Sequence, residues 1–217
     1  MAGTEAVLTQ LREEILRGTY APNQRLIEAD LAERLGASRF VLRNCLIQLA
    51  AEGLVELQPN RGARVRETTA EEAVEITELR QSIEALVAAR AAERVTEAQV
   101  AELRGIEESM VEAVEHAELL VYSDLNARLH ALLREIAAHQ TASRLLEQLR
   151  GQMARHQVRL ALVPGRPAVS LPEHRAIIDA VCSRDPDRAR EAMSAHVGSV
   201  LQTLATLGPQ AAPAPVP

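Results

Sequence analysis

The sequence predicts a mainly α fold, an N-terminal winged helix-turn-helix followed by an all-helical bundle, and three observations carry that prediction. Ala, Leu, Glu, Arg and Val dominate the composition, and together they favour helix over strand nearly everywhere. Aromatic residues are confined to Tyr20, Phe40 and Tyr122, with no Trp, which argues against an all-β sandwich or barrel and against a platform of rings for stacking single-stranded bases. Apolar residues recur at helical spacing along most of the chain, with a single convincing alternating stretch. The 217 residues, 47% hydrophobic and 25% charged, have ordinary globular composition and, at about 100–200 residues per domain, allow one large domain or two small ones.

Leu8, Leu11, Ile15 and Leu16 place a first helix over 4–17, ended by Gly18. The turn Tyr20-Ala21-Pro22-Asn23 leads to a short helix over 28–35, with Leu31, Ala32 and Leu35 on one face. Gly36-Ala37-Ser38 then forms a tight connection in which Ser38 can cap a third helix over 39–52. Two short helices around a Gly-containing turn make a helix-turn-helix. Strands over 54–57 and 63–66 flank Pro59-Asn60-Arg61-Gly62 and read as a two-stranded wing. Beyond Thr69 the pattern is helical, with segments at 70–94, 97–115, 118–138, 141–163, 171–184 and 186–206. Thr96 with Gln99 forms a capping box, and Asp185-Pro186 supplies an N-cap followed by proline. The stretch 164–170 reads as a loop and the Pro/Ala tail 208–217 as disordered. The expected domains are therefore 1–66, 67–207 and the tail 208–217.

All 24 basic residues are Arg, so neither a Schiff-base lysine nor a P-loop lysine exists in this chain. Residues 1–66 hold 9 Arg against 8 acids, whereas residues 67–217 hold 15 Arg against 22, a weakly positive head on an acidic body. Cys45 and Cys182 match no CxxC spacing, and neither a signal peptide nor an apolar run of about 18–20 residues is seen. A cytoplasmic protein without a membrane partner is expected.

At about 100° per residue, Leu42, Cys45, Leu46 and Leu49 fall within one arc of the third helix. The opposite arc presents Phe40, Arg43, Asn44 and Ile47, with Arg39 at its margin near the N-terminus, where recognition helices meet base edges. Arg can hold guanine bidentately and Asn adenine, which makes Arg43 and Asn44 candidate base readers and Arg39 a contact to base or phosphate. Phe40 and Ile47 gain nothing from exposure to water; a thymine methyl or a partner surface would explain both. In the wing, Arg61 and Arg64 surround Gly62, whose small size permits close approach to a groove or phosphate.

The run Ile15-Leu16-Arg17-Gly18, Arg25-Leu26, Leu31-Ala32-Glu33-Arg34-Leu35-Gly36, Ser38-Arg39, Leu42-Arg43, Leu49-Ala50-Ala51-Glu52-Gly53-Leu54-Val55 and Asn60-Arg61-Gly62-Ala63-Arg64-Val65 resembles the winged-helix domain of GntR-type bacterial transcription regulators. That family usually follows Ser-Arg with Thr-Pro-Val-Arg-Glu-Ala-Leu. Here the segment runs Phe40-Val41-Leu42-Arg43-Asn44-Cys45-Leu46, so the departures sit partly on the reading face.

All six histidines follow residue 115. Asn126 and His130, at i and i+4, share one helix face, while His174 and His196 fall on the last two helices, and a bundle can point such residues into its centre. The body is similar to the FCD subclass of these regulators, an all-helical effector-binding domain, through Asn126-Ala127-Arg128-Leu129-His130, Glu173-His174-Arg175-Ala176-Ile177 and His196. The resemblance implies a divalent metal ion (zinc, nickel or manganese) held by Asn126, His130, His174 and His196, with a small carboxylate effector at its free positions. Asn126 stands where the family has Asp, which removes a negative ligand. Without metal, the three histidines would simply line a polar pocket. Arg80 matches a family position assigned to the effector's carboxylate, although an ion pair with Glu84 at i+4 competes with that role.

The expected function is a non-enzymatic transcription regulator, a repressor that binds a pseudo-palindromic double-stranded DNA operator as a homodimer and is released by a small carboxylate metabolite. The alternative is a regulator that senses metal directly. A metallohydrolase would need a general base, and no HExxH helix supplies one.

Overall fold

The computed structural model describes residues 3–58, 62–161 and 163–206. Their elements follow in the order α1 (Thr4–Leu16), β1 (Arg25–Leu26), α2 (Glu28–Leu35), α3 (Arg39–Ala51), β2 (Val55–Gln58), β3 (Gly62–Val65), α4 (Ala70–Arg94), α5 (Glu97–Glu115), α6 (Leu119–Ala137), α7 (Gln140–Ala161), α8 (Arg166–Cys182) and α9 (Pro186–Thr206). Two compact units emerge among the described residues: one holds the chain through Thr69 with Gln148–Arg155 of α7, the other holds Ala70–Glu147 and residues 156–206. The Pro/Ala tail expected at 208–217 lies outside the described residues.

In the first unit, Ser38 caps α3 as its position predicts, its Oγ accepting from the Val41 amide at 3.2 Å. Val7, Leu8, Leu11 and Ile15 of α1 pack with Leu42, Cys45, Leu46 and Leu49 of α3 into one core, which Leu54, Val55, Ala63 and Val65 close from the wing. Each fully buried Leu of this set contributes on the order of 1.5–3 kcal/mol. Arg34 of α2 reaches α1, donating to Glu14 Oε1 and Oε2 at 2.9 and 2.6 Å. These bonds outweigh burial and hold the Glu14 carboxyl down at about 2.

The wing differs from the expected two-stranded hairpin. β1 adds a third strand, giving the antiparallel order β1-β3-β2 with Arg25 opposite Arg64 and Leu26 opposite Ala63. A two-residue strand is too short to show alternation, so its pairing is invisible in the pattern of the chain.

In the second unit the predicted caps form. The Gln99 amide donates to Thr96 Oγ1 at 3.3 Å and the Thr96 amide to Gln99 Oε1 at 3.1 Å, while Asp185 Oδ1 accepts from the Arg188 amide at 3.0 Å. The helix expected over 171–184 instead starts at Arg166, so most of the stretch read as loop is helical. Gly165, at φ 78°, is its N-cap and Pro167 sits in the first turn, where an absent amide hydrogen costs no helical bond. Burial concentrates in Leu103, Met110, Leu129, Leu133, Leu146 and Ile177. Among the described residues no helix is long and apolar enough to cross a membrane.

Candidate functional site

In the first unit, α3 buries Leu42, Cys45, Leu46 and Leu49 and turns its other face outward. Arg39, Phe40, Arg43 and Ile47 are exposed, Phe40 by 75% and Ile47 by 48%, and Asn44 is half-buried. Between this helix and the wing runs an open groove of about 530 Å³ whose lining includes Arg25, Ile27, Arg39, Arg43, Ile47 and Gly62. Arg25 joins this lining through its pairing in β1, a placement that no local pattern in the sequence indicates. Arg64 is half-buried, and its Nη2 donates to Glu56 Oε2 at 2.8 Å across the β2–β3 pair. Arg61 lies outside the described residues.

In the second unit, three helices bring the predicted imidazoles together. His130 of α6, His174 of α8 and His196 of α9 are 8%, 1% and 5% exposed, and one ring nitrogen from each lies within 4.8 Å of the others. The ring centroids are 6.0 Å apart for His130 and His174, 5.5 Å for His130 and His196, and 4.4 Å for His174 and His196. Three further ring contacts come from residues that sequence spacing did not assign to the site. Glu84 Oε2 lies 2.6 Å from His130 Nδ1, Glu173 Oε2 lies 2.9 Å from His196 Nδ1, and the Tyr122 hydroxyl lies 2.9 Å from His174 Nδ1.

Arg80, expected at the effector, is buried, and its Nε and Nη2 both donate to Glu84 Oε1, at 3.0 and 2.7 Å. The ion pair is thus present but sits in the interior. Burial pushes the Glu84 carboxyl up, yet Arg80 and His130 outweigh it and hold it well below the usual carboxylate range. Burial, reinforced by His196, His130 and Arg166, pushes His174 well below the usual imidazole range and keeps it neutral.

This donor set fits a divalent ion. Among the described residues, the buried side-chain polar atoms without a hydrogen-bond partner include Asn126 Oδ1 and His174 Nε2. Leaving such atoms unpaired costs about 1–3 kcal/mol each, and a cation bound by both would relieve that cost. Asp124, two residues before Asn126, is exposed. His116 and His139 are engaged locally: His116 Nδ1 lies 2.8 Å from the Glu112 carbonyl, and His139 Nδ1 accepts from the Ala142 amide at 3.2 Å.

Comparison with known proteins bears on both units. The profile of bacterial regulatory proteins of the gntR family matches residues 4–65, and that of the FCD domain matches residues 75–199. The HTH-type transcriptional repressor RspR of Escherichia coli (strain K12) is 30% identical over 194 residues, 89% of this chain and 85% of that protein. A probable D-xylose utilization operon transcriptional repressor of Paenarthrobacter nicotinovorans is 28% identical over 207 residues, 92% of this chain and 89% of that protein. Among solved structures, E. coli McbR/YncC superposes with a TM-score of 0.77 at 22% identity, covering 94% of this chain and 98% of its own. A putative GntR regulator from Rhodococcus sp. RHA1 gives 0.70 at 21%, with coverages of 94% and 98%. These two likenesses establish the fold. The families and relatives are transcriptional regulators and not enzymes. With a gntR head and an FCD body on one chain, the protein belongs to the GntR family of transcriptional regulators, in the subgroup that carries an FCD effector-binding domain.

Proposed function

We propose that this regulator binds a pseudo-palindromic operator as a homodimer and releases it when a small carboxylate metabolite occupies a site at His130, His174 and His196. Arg43 and Asn44 read base edges. Arg39 contacts base or phosphate, Phe40 and Ile47 meet thymine methyl groups, and Arg61, Gly62 and Arg64 approach the backbone from the wing. The three imidazoles and Asn126 would hold a divalent ion; when bound, it supplies positive charge and open coordination positions for an anion. The observation that carries the reading is the convergence of three buried imidazoles, with ring nitrogens within 4.8 Å of one another and His174 Nε2 without a hydrogen-bond partner.

An effector that prefers the DNA-incompetent arrangement shifts the population away from DNA by no more than its differential affinity. The body then serves as both dimer scaffold and switch. The test is selection from a random double-stranded pool at fixed salt by wild type and by Arg43→Ala. A two-fold symmetric site that loses information at one base per half-site in the variant supports the reading. Failure of the wild type to enrich any sequence would sink it.

The burial of all three imidazoles favours one further reading, in which the ion is itself the signal. Chelation would then create or abolish operator binding with no organic ligand present.

A further inference from the structure

Two of the three imidazoles are held in the same manner from different helices. On one side Arg80 donates twice to Glu84 Oε1, and Glu84 Oε2 meets His130 Nδ1 at 2.6 Å. On the other, Arg166 Nη2 donates to Glu173 Oε2 at 3.3 Å, and that oxygen meets His196 Nδ1 at 2.9 Å. Arg166 is also steadied by Ser199, whose Oγ accepts from Nη1 at 2.7 Å. Both arrangements therefore run arginine, glutamate, histidine. The third ring differs, because His174 Nδ1 faces the hydroxyl of Tyr122, which can donate or accept.

An ionised carboxylate can only accept a hydrogen bond. In a neutral imidazole each contact requires the hydrogen to sit on Nδ1, which leaves the lone pair on Nε2. A histidine so held is presented to a metal in one tautomer and one orientation, and its basicity rises. The paired arginine lets the carboxylate stay ionised in a buried setting, where an unpaired charge would be costly.

We propose that Glu84 and Glu173 are positioning residues that lock His130 and His196 as Nδ1–H tautomers with Nε2 offered to the shared centre, and that Arg80 and Arg166 hold these glutamates in place. Arg80 then serves the metal site from behind His130 and does not bind the effector. Because two glutamates are balanced by two arginines and Asn126 is neutral, the positioning shell adds no net charge to the centre. A bound divalent ion thus keeps its full charge for an anionic ligand. The proposal rests on the metal reading given above, and its test separates the two.

Long-range imidazole ¹H–¹⁵N correlations on the metal-free protein at pH 8 should show His130 and His196 as Nδ1–H. Zinc affinity, measured by chelator competition at the same pH, should fall about 10- to 100-fold in Glu84→Gln and in Glu173→Gln. Wild-type circular dichroism in each variant verifies folding, and either variant suffices if the other does not fold. The cobalt d–d spectrum should also change, which a purely structural role would not produce. Arg80→Lys should weaken zinc binding; unchanged zinc affinity there would return Arg80 to the effector. An Nε2–H tautomer at both rings in wild type, or unchanged zinc affinity in both folded glutamate variants, would overturn the proposal. If wild type binds no zinc, the metal reading fails, and the tautomers alone decide whether the positioning stands.

Discussion

A Cβ placed on Gly62 would stand 2.6 Å from the carbonyl oxygen of Leu26, and Gly62 itself adopts φ +84°. The close approach that glycine permits here is to strand β1, which the two-stranded reading of the wing did not contain. Gly62→Ala must move backbone as well as adopt a disfavoured dihedral, so it should cost about 1–3 kcal/mol. Urea melting of the variant checks this. Stability unchanged from wild type would show that the wing relaxes freely, and only then could a loss of DNA binding in this variant be assigned to the groove.

If Arg64 meets the DNA backbone as proposed, Glu56 competes with DNA for it. Their ion pair at 2.8 Å spans two partly exposed side chains, a class of interaction worth about 0.2–1 kcal/mol. Removing the carboxylate frees the guanidinium and deletes a repulsive charge near phosphate. Glu56→Gln should therefore tighten operator binding by up to about fivefold at low salt, since 1.4 kcal/mol corresponds to tenfold. Fluorescence anisotropy titration reads the change, and equal or weaker binding would place Arg64 away from the backbone.

The acid limb of stability should depend on Glu14 and Arg34. The folded carboxyl sits at about 2 against an ordinary value of 4.5, chiefly through the bonds from Arg34. A lowered folded value means that the unfolded chain binds the proton first, so the contribution is complete above about 4.5 and is lost as pH falls toward 2. Arg34→Met should flatten this stretch of a stability–pH curve and leave the slope above pH 5 unaltered. An unchanged acid limb in denaturant midpoints would show that the pair is solvated in both states.

Asn126→Asp should raise zinc affinity on the order of tenfold or more, because a charged ligand replaces a neutral one whose Oδ1 lacks a partner. The same change lowers the charge left for an anion, so carboxylate binding to the zinc-loaded protein should weaken. Zinc present at a hundredfold excess over its Kd should stabilise wild type by about 2.7 kcal/mol. Differential scanning fluorimetry with and without chelator tests the zinc effects, and with and without added carboxylate the anion effect. Identical zinc responses of wild type and Asn126→Asp would remove Asn126 from the ligand set.

Much of the fold was legible because its signals are local. Ser38, Thr96 with Gln99, and Asp185 begin their helices as predicted, since each satisfies an amide three residues away. The stripe Leu42, Cys45, Leu46 and Leu49 is buried in full, as helical periodicity requires. α8 starts inside the stretch that reads as a loop, because a proline in the first turn and a left-handed glycine before it both suit a helix start.

Sequence alone determined most of the helical segments and the outward arc of α3, which follow from the fixed rise and rotation of a helix, while the three histidines that meet were implied by the resemblance of their motifs to a known family. Tertiary structure decided which groups stand behind those histidines. Glu84 comes to His130 from α4 and Tyr122 to His174 from α6, separations of 46 and 52 residues that no local period encodes. It also paired β1 with β3, a contact between strands far apart in the chain. Such contacts depend on how whole helices and strands pack, which is settled by the burial of entire faces and not by the preference of any one residue.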